Sequence, residues 1–463
     1  MDLDSFFKPK SVAVIGASKH PRKFGHIIFE NFIDSDYKGK VYAVNNSITE
    51  LMGQPVYESV LNIPKPVDMA VIVIPAKGVP DAISECVRKK VKACVIISAG
   101  FGEIGNKKGE EQLLKEAKGR MRIIGPNVLG IYDAYSGVDT VFNPRYRQER
   151  PIKGSVGFIS QSGAFGASIM DMAASEGIGI SKFASIGNRI DVDEVDLLNY
   201  LAKDKNTKAI ALYIEGSKRG KVLLKTLKSV TIKKPVVVIK AGKTTAGQVA
   251  VSSHTGSMAG ESKIFSAVLK QSGAIEAFNV EELLDFTKAL ATQPVPKGKN
   301  IQVVTNGGGF GVIATDSIIM NGLKLAQLSR RTIEKIKKTM PSYAQISNPM
   351  DLVGDADSLR YQCALENVMK DSNVHGVVVI MLMQISALES DIVDVLISVR
   401  GEYKKPMTVC ATGGDFTKVH TKMLEKQGIP TYATPDRAVM AMKALVQYAD
   451  IRRKIFRRSG KDE

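Results

Sequence analysis

Short apolar runs recur along the chain, separated by Gly-rich or polar turns and by stretches whose apolar residues have helical spacing. The runs are continuously apolar or nearly so, without the alternation that marks a strand with one solvated face. Continuous runs of this kind are typical of strands buried on both faces of a parallel sheet. From residue 11 onward the pattern therefore predicts alternating strands and helices, and the fold class is α/β.

The runs form three successive series, which we interpret as three consecutive α/β domains. Two polar stretches that contain proline, 143–153 and 294–300, separate the series and are interpreted as linkers. The predicted domains are 1–142, 151–293 and 298–456. The predicted strands are 12–15, 41–44, 69–74, 93–97, 122–124, 155–159, 182–184, 209–213, 235–239, 301–305, 377–382 and 406–410.

The composition fits a globular protein and excludes several other classes. Of the 463 residues, 44% are hydrophobic and 24% are charged, as in soluble domains and unlike disordered or fibrous chains. No apolar run approaches the roughly 20 residues that a membrane-spanning helix needs. The N-terminal residues lack the basic start and apolar centre of a secretory signal, so we expect a cytoplasmic protein with no membrane partner.

The chain is basic, with 64 Lys and Arg against 47 Asp and Glu and a formal charge of +17. This excess is explained equally well by a solvated basic surface and by an acidic partner. Nucleic acid is disfavoured because the chain has no Trp and its dense basic run is confined to 452–458. A phosphate-rich small molecule remains a suitable ligand.

The first strand is followed by Gly16, Ala17 and Ser18 and then by a predicted helix start. Such a turn allows backbone N–H groups and the helix dipole to contact a phosphate. A nicotinamide cofactor is disfavoured, because Ser18 replaces the second glycine of the dinucleotide fingerprint and Asn45 stands where an acidic ribose ligand is expected. The nearby Lys19, Arg22 and Lys23 favour a ligand with more phosphate, such as coenzyme A.

Two later strands end in turns with the same anion-binding form. Residues 160–163 carry two serines before a predicted helix, and residues 306–309 carry three glycines at the equivalent place in the third series. No phosphate-binding P-loop accompanies them. The nearest candidate ends in Gly242, Lys243 and Thr244, but Val237 stands where its first glycine is required. A nucleotide would therefore need another chain to hold it.

His254 is the candidate nucleophile among the five histidines. It lies within 248–260, a run of small residues that offers little area to a core helix or buried strand, so we expect a flexible loop that another group can approach. A nucleophilic histidine also needs an acceptor for its other ring nitrogen, and Glu215, at the end of a predicted strand, is the candidate. We interpret His375 and His420 as structural.

These motifs, in this order, resemble those of the α subunits of archaeal ADP-forming acetyl-CoA synthetases, relatives of succinyl-CoA synthetase. The resemblance covers nearly the whole chain, and the ordered set is specific although each motif alone is not. The motifs are Gly16-Ala-Ser18, Ile74-Pro75, Ser98-Ala-Gly-Phe-Gly102, Gly125-Pro-Asn-Val-Leu-Gly130, Ser160-Gln-Ser-Gly163 and Ser253-His-Thr-Gly256.

The resemblance implies a Rossmann-like CoA-binding domain followed by two flavodoxin-like ligase-CoA domains. It implies that His254 is transiently phosphorylated, that Glu215 holds its ring and that two helix starts steady the phosphate. The residues implied to bind phosphate are Ser160, Gln161, Ser162, Gly163, Gly256, Asn306, Gly307, Gly308 and Gly309. The residues implied to bind CoA are Gly16, Ala17, Ser18, Lys23, Val44, Asn45, Ile74, Pro75, Ser98, Gly100 and Asn127.

The implied activity is that of an acid–thiol ligase, acetate–CoA ligase (ADP-forming). Acyl-CoA, ADP and phosphate would give the acid, ATP and CoA through an acyl phosphate and phosphohistidine. Because the chain lacks an ATP-grasp domain, a separate β subunit would hold ADP or ATP and Mg²⁺, most simply as an α2β2 heterotetramer. This chain itself offers no convincing metal cluster. Acetate is the default acid of the family, and the sequence does not choose among acids.

Two alternatives retain the CoA-binding domain without this activity. One is a non-catalytic CoA- or acyl-CoA-binding regulator, which would have no use for His254 and Glu215. The other is the ligase-like half of a fused protein acetyltransferase. This alternative is disfavoured because the sequence shows no acetyltransferase segment after Asp450.

Overall fold

The computed structural model describes residues 3–255 and 262–458. The chain divides into two compact units. The first unit consists of Met1–Ser175 and Gly179–Glu276, and the second of Glu176–Ile178 and Ala277–Glu463. The described residues contain three sheets, of seven, six and six strands, and each sheet is mostly parallel. The prediction of three successive α/β folds is confirmed, while the predicted domain boundaries stay a prediction.

The first sheet follows the predicted alternation of strands and helices. Its order is β3-β4-β2-β1-β5-β6-β7, parallel except for the β3–β4 pair. Strands β1, β5 and β6 are buried at every position, as the continuous apolar runs predict. The elements are α1 (Asp4–Phe7), β1 (Ser11–Ile15), α2 (Phe24–Asp34), β2 (Lys40–Val44), β3 (Glu50–Leu51), β4 (Gln54–Tyr57), β5 (Met69–Ile72), α3 (Val79–Arg88), β6 (Ala93–Ile96), α4 (Lys107–Ala117) and β7 (Arg122–Ile124).

The second sheet has the order β13-β12-β11-β9-β10-β8. Its edge strand β8 pairs antiparallel with β10, although its residues precede the predicted linker. Asp193 begins α6 with a capping box: its side chain accepts from the N–H of Asp196, and its own N–H donates to the Asp196 carboxylate at 3.3 Å. The elements are β8 (Ile131–Asp133), β9 (Lys153–Ser160), α5 (Gly163–Glu176), β10 (Ile180–Ser185), α6 (Glu194–Lys203), β11 (Ala209–Ile214), α7 (Gly220–Thr231), β12 (Val236–Lys240), α8 (Thr245–Thr255), α9 (Ser262–Ser272) and β13 (Ile275–Ala277).

The first two sheets share one hydrophobic core inside the first unit. One hydrophobic cluster includes Val12 and Val95 of the first sheet together with Ile159 and Leu212 of the second. Polar contacts fix the same packing. The side chain of Arg122 donates to Asp191 at 2.9 Å, and the Tyr200 hydroxyl donates to Asp4 at 2.8 Å. The two sheets therefore form one body with a shared core.

The third sheet lies in the second unit and has the order β15-β14-β17-β18-β19, with β16 paired to β14. Strand β17 is buried at every position, and its run of valines matches the predicted strand. The elements are α10 (Val280–Thr292), β14 (Asn300–Thr305), α11 (Gly308–Met320), β15 (Lys324–Leu325), α12 (Arg330–Lys337), β16 (Met350–Asp351), α13 (Ser358–Lys370), β17 (Gly376–Ile380), α14 (Ile392–Glu402), β18 (Met407–Cys410), α15 (Asp415–Lys426), β19 (Thr431–Tyr432) and α16 (Pro435–Arg458).

Among the described residues, no helix has both the length and the apolar character needed to cross a bilayer. All twelve predicted strands are present, with ends that shift by one or two residues. The strands that the apolar pattern does not reveal are short or lie at sheet edges, where few buried positions leave a weak hydrophobic signal.

A buried charge cluster attaches the edge strand β8 to the second sheet. The ammonium of Lys182 on β10 lies 3.1 Å from Asp133 on β8 and 3.0 Å from Asp204, and all three side chains are almost fully buried. Replacing Lys182 with Met would leave two buried carboxylates without their cation. We expect a loss of about 3–5 kcal/mol in the free energy of unfolding of the first unit, measured by urea denaturation.

The matched control is Lys92→Met, which removes a mostly exposed lysine paired with Asp68 at 2.9 Å. The expected loss there is less than about 1 kcal/mol. Equal losses in the two variants would contradict the role assigned to the buried cluster.

Candidate functional site

A cavity of about 1200 Å³ opens in the first unit where turns from its two sheets meet. The turns follow the carboxyl ends of parallel strands, which is where open α/β sheets bind ligands. First-sheet turns contribute Ile74, Ser98 and Asn127, and second-sheet turns contribute Ser162 and Asn188. The predicted site residues in the wall are Ile74, Ser98, Asn127, Gln161, Ser162 and Gly163.

The turn after β1 is built around a close approach of backbones. Gly16 has φ of +98°, and a side chain there would place its Cβ 2.4 Å from the carbonyl oxygen of Val73. The N–H groups of Gly16 and Ala17 both donate to the Val44 carbonyl, at 2.9 and 3.3 Å. The neighbouring strand therefore already uses these two N–H groups, and a contact of Gly16 or Ala17 with CoA stays a prediction.

Asn45 and Ser18 complete the same turn. The Asn45 amide donates to the Ala17 carbonyl at 2.7 Å, and the Ser18 hydroxyl accepts from the N–H of His20 at 3.1 Å. Both side chains form hydrogen bonds with backbone groups of the turn, and a direct contact of either side chain with CoA stays a prediction.

The basic residues after this turn are exposed at the start of α2. Lys23 directly precedes the helix, and no side chain caps its first turn. Lys19 and Arg22 lie in the preceding loop and are exposed as well. The first helical residue, Phe24, stacks on Phe142 with ring centroids 4.1 Å apart, and both rings line the cavity. The cations are thus placed beside one end of the cavity wall.

The turns after β5 and β6 are tied to each other. The Ser98 hydroxyl donates to the Ile74 carbonyl at 2.5 Å, so these two predicted CoA residues lie side by side. Pro75 follows in the first turn. Gly100 has φ of +109° in the second, and its N–H donates to the Glu103 carboxylate.

A cluster that sequence reasoning missed joins the two sheets at the cavity. The side-chain amide of Asn188 donates to Glu103 at 2.6 Å and to Glu110 at 2.8 Å. Its oxygen lies 3.5 Å from the Asn127 amide nitrogen. Burial alone would raise the pKa of Glu103, but hydrogen bonds from Asn188 and the backbone of Gly100 hold that pKa below its usual value. Asn188 is more than 70 residues away from either carboxylate in the sequence, and it belongs to none of the predicted motifs.

Cations from the second sheet also reach the wall. Arg189 is buried, pairs with Glu194 at 3.2 Å and donates to the carbonyl of Gly216 at 2.6 Å. Lys218 donates to the Asn188 carbonyl at 3.2 Å. Both residues line the cavity. They connect the turns after β10 and β11, and spacing in the sequence gives no signal for either.

Ser162 is the N-terminal cap of α5. Its hydroxyl accepts from the N–H of Phe165 at 3.3 Å, and its carbonyl accepts from Gly166. Gly163 and Ala164 bring the positive end of the helix to the cavity. The buried Ser160 instead donates its hydroxyl to the Ser162 carbonyl at 2.6 Å, so it supports the turn from behind.

Gln161 fixes the position of Glu215. The side-chain oxygen of Gln161 accepts from the backbone N–H of Glu215 at 2.8 Å, and the backbone N–H of Gln161 donates to the Tyr213 carbonyl. Glu215 is buried and accepts from the Tyr213 hydroxyl at 3.2 Å. Burial and this carboxylate together raise the pKa of Tyr213. A buried carboxyl group thus lies beside the turn that begins α5.

His254 lies in the last turn of α8, which begins after Thr244 caps it through the N–H of Gly247 at 3.0 Å. The prediction of a flexible loop over 248–260 is therefore wrong for residues 248–255. Small residues can form a helix without a buried face, because helical hydrogen bonds are local, and Ala246 and Val249 are exposed. Helix α8 contacts the turn 102–104. Gly256 lies outside the described residues, and the contact of Glu215 with the His254 ring stays a prediction.

The predicted phosphate site of the third sheet lies in the second unit, at the start of α11. Asn306 is buried and exchanges hydrogen bonds with the backbone of Leu382, at 2.9 and 3.3 Å. The N–H of Gly307 donates to Thr305 at 2.9 Å. A side chain at Gly308 would place its Cβ 2.6 Å from the Asp351 carboxylate, whereas Gly309 has open space. Hydrogen bonds thus hold the turn, and its phosphate-binding role stays a prediction.

Comparisons with known proteins agree with this geometry. The family model described as "CoA binding domain" matches residues 10–134. The "Succinyl-CoA ligase like flavodoxin domain" matches 153–290, and the "Ligase-CoA domain" matches 301–455. The α subunit of acetate–CoA ligase [ADP-forming] I of Pyrococcus furiosus is 41% identical, over 97% of this chain and 98% of that protein.

The chain belongs to the family of ADP-forming acetate–CoA ligase α subunits. A solved structure, the dinucleotide-forming acetyl-coenzyme A synthetase 1 of Ca. Korarchaeum cryptofilum with phosphate and ADP, matches with a TM-score of 0.93 and 39% identity over 99% of both chains. Acetate–CoA ligase [ADP-forming] I of Archaeoglobus fulgidus is 40% identical, and this chain covers 97% of its own length but 64% of that longer protein.

Membership of this ligase family confirms the predicted resemblance, fold class and enzyme class. It also favours an ADP-forming ligase over a non-catalytic CoA-binding regulator. CoA and phosphate are the substrates that the CoA-binding domain and the ADP-forming relatives support. The missed residues at 103, 110, 188, 189 and 218 lie among the predicted ones, where the two sheets meet.

The Asn188 cluster generates a stability prediction with a defined pH dependence. Asn188→Ala removes the donor shared by Glu103 and Glu110. We expect the free energy of unfolding to fall by about 2 kcal/mol at pH 7, since water in the cavity compensates part of the two lost hydrogen bonds. The pKa of Glu103 is lower in the folded than in the unfolded protein, so its contribution to the free energy of unfolding is present above the unfolded pKa and disappears as pH falls through the folded pKa.

Urea unfolding of the two proteins at pH 7 and at about pH 4 measures this difference, which should narrow at the lower pH. The control is Asn199→Ala, which removes a hydrogen bond to the Val195 carbonyl within α6. Its loss should be under about 1 kcal/mol and independent of pH. A pH-independent loss in Asn188→Ala would contradict the charge-based account.

Proposed function

We propose that this ligase α subunit converts acetyl-CoA, ADP and phosphate to acetate, ATP and CoA through an acyl phosphate and a phosphohistidine at His254. The observation that carries the proposal is the cavity. Turns of the CoA-binding domain and the start of α5 line this cavity together. Gln161, which also lines the cavity, holds Glu215 next to it through a hydrogen bond to the Glu215 backbone. The family model that matches this second part is that of a succinyl-CoA ligase domain.

In the first step an oxygen of inorganic phosphate attacks the carbonyl carbon of the thioester. The carbon–sulfur bond breaks, CoA leaves as a thiolate that takes up a proton, and acyl phosphate remains. The first-sheet turns with Ile74, Ser98 and Asn127 would hold the thioester end of CoA. The start of α5, at Ser162 and Gly163, would stabilise the negative phosphate through its dipole and free N–H groups.

In the second step a ring nitrogen of His254 attacks the phosphorus of the acyl phosphate. The phosphorus–oxygen bond to the acyl group breaks, and the carboxylate leaves. Glu215 would accept a hydrogen bond from the other ring nitrogen, which fixes the tautomer and offsets the positive charge of the ring. Its burial supports this role, because water competes little for the carboxylate.

In the third step the phosphoryl group passes from His254 to ADP, with cleavage of the nitrogen–phosphorus bond. Residues 306–309 at the start of α11 would form the second phosphate station. The relatives support a partner: the similar Pyrococcus protein is named a subunit alpha, and the Archaeoglobus protein is a longer single chain. We therefore assign the nucleotide to an ATP-grasp β subunit, most simply in an α2β2 heterotetramer.

Mg²⁺ belongs with the nucleotide in this proposal. Among the described residues, no group of three or more His, Cys, Asp or Glu side chains is placed to hold a metal ion. The described residues therefore do not fit a metal site.

Replacing the nucleophile tests the phosphohistidine. In the holoenzyme, His254→Asn should abolish acid-labile, base-stable phosphorylation of this chain and ATP formation, because the covalent path is lost. The loss should exceed the about 10²- to 10⁴-fold typical of a missing general acid or base. Labelled phosphate on the chain and coupled ATP assays measure both effects.

The control for this variant is His375→Asn. His375 accepts from the N–H of Asn300 at 3.1 Å in the second unit, and its loss should leave labelling intact. Normal labelling and turnover in His254→Asn would overturn the proposal.

The CoA site is tested by charge reversal at Lys23, which is exposed at the start of α2. Lys23→Glu should weaken CoA binding by about tenfold or more, because a carboxylate then faces the phosphates of the ligand. The control Lys65→Glu reverses an exposed charge that precedes β5, at the opposite edge of the sheet. If calorimetry finds the same CoA affinity in both variants, CoA does not bind at the start of α2. Gly16→Val is unsuitable, since its side chain meets the Val73 carbonyl and tests folding instead.

A further inference from the structure

A cation in the cavity wall has no task in the three steps. Lys218 follows Glu215 by three residues, in the turn between β11 and α7, and it is exposed and lines the cavity. Its ammonium donates to the carbonyl of Asn188 at 3.2 Å. An ammonium carries three N–H donors, so this one contact leaves donors for a ligand. Lys218 thus presents a positive charge and hydrogen-bond donors to the cavity.

Two neighbouring arginines, in contrast, are paired with carboxylates. Arg219 pairs with Asp193 at 2.5 Å, and Arg189 pairs with Glu194 at 3.2 Å. In the part of the chain that the structure describes, no carboxylate forms such an ion pair with Lys218. A neutral carbonyl is a weaker partner for an ammonium than an anion is. An anionic ligand can therefore replace the carbonyl that Lys218 now contacts.

The turn that carries Lys218 is attached to the turn that begins α5. Strands β9 and β11 are parallel neighbours, so the turns that follow them lie at the same edge of the sheet. The side-chain oxygen of Gln161 accepts from the N–H groups of Glu215 at 2.8 Å and Gly216 at 3.3 Å. A second wall lysine, Lys107, begins α4 in the CoA-binding domain instead. Lys218 is therefore the wall lysine on the side of the α5 start.

The first step of the proposed reaction needs a positive charge at this place. Inorganic phosphate is an anion at neutral pH, and CoA carries phosphate groups of its own. The N-terminus of a helix is equivalent to about half an elementary charge, which is less than the charge on phosphate. A full cation beside the start of α5 would balance more of that charge before the attack on the thioester begins.

We propose that Lys218 binds the inorganic phosphate that attacks the thioester, pairing its ammonium with a phosphate oxygen beside the start of α5. The inference rests on the proposed function, because it adds a substrate contact to the first step. The oxygen–carbon bond forms and the carbon–sulfur bond breaks as described for that step, and no bond to Lys218 changes.

The experiment measures the KM for phosphate and the KM for acetyl-CoA in the holoenzyme. Lys218→Met should raise the KM for phosphate by about 10- to 100-fold, the range expected for the loss of a hydrogen bond between two charged groups. The KM for acetyl-CoA should stay within about twofold of wild type, since the turns that hold CoA are untouched. Lys218→Arg should recover most of the phosphate affinity because it restores the cation.

Two further variants separate the charge of Lys218 from its contact with Asn188. Lys218→Gln keeps a donor for the Asn188 carbonyl but removes the charge, so its KM for phosphate should resemble that of Lys218→Met. Lys225→Met removes an exposed lysine in the middle of α7 and should keep both wild-type KM values.

Three results would overturn the inference. One is a wild-type KM for phosphate in Lys218→Met, and another is an equal rise of both KM values in that variant. The third is a wild-type KM for phosphate in Lys218→Gln, because the hydrogen bond to Asn188 would then be sufficient without the charge.

Arsenate separates the first step from the histidine. It replaces phosphate as the attacking anion, CoA leaves, and water then hydrolyses the acyl arsenate to the acid and arsenate. Release of the CoA thiol therefore requires neither His254 nor ADP. His254→Asn should keep this arsenate-dependent release, whereas Lys218→Met should need about 10- to 100-fold more arsenate for the same rate.

The two claims fail in different ways. If His254→Asn still forms ATP and carries base-stable label, the proposed function fails whatever the lysine variants show. If His254→Asn loses both while Lys218→Met and Lys218→Gln keep the wild-type KM for phosphate and for arsenate, only the role of Lys218 fails.

Discussion

The carboxyl ends of parallel strands from two sheets meet in the first unit, and the candidate site there depends on that packing. A single hydrophobic cluster extends through both sheets, and polar contacts such as Arg122 to Asp191 fix their alignment. Turns that are more than 100 residues apart in sequence thereby enclose one cavity. The chemistry of a thioester and a phosphate requires such proximity, because the reacting atoms must be held within a few ångströms of each other.

Buried charge is the second feature that organises this unit. Lys182 lies between two carboxylates, Arg189 pairs with Glu194, and the buried Glu215 is held by Gln161. The first cluster secures an edge strand, whereas Arg189 and Gln161 lie in the wall of the cavity. Charges buried at the carboxyl edges of the sheet are costly to maintain unless they are paired, and their concentration there agrees with a site that handles phosphate.

Several residues that resemble ligand contacts in the sequence turn out to support the backbone. Gly16 allows the turns after β1 and β5 to approach, Asn45 holds Ala17, and Ser160 holds Ser162. Their residue types are required by geometry whether or not a ligand is bound. Asn188, Arg189 and Lys218, by contrast, line the cavity although no motif contains them.

The sequence by itself determined the α/β class, the order of the three folds and the twelve main strands, because continuous apolar runs and glycine turns are local signals. It also determined the family, since the ordered motifs are specific as a set. Only the tertiary structure decided which turns meet, that the N–H groups of Gly16 and Ala17 are already used, and that Asn188 links Glu103 with Glu110. It also placed His254 on a helix, where the small-residue run predicted a loop. The physical reason is that strand pairing and helix packing bring together residues distant in the chain, and side-chain hydrogen bonds across such distances leave no periodic trace in the sequence.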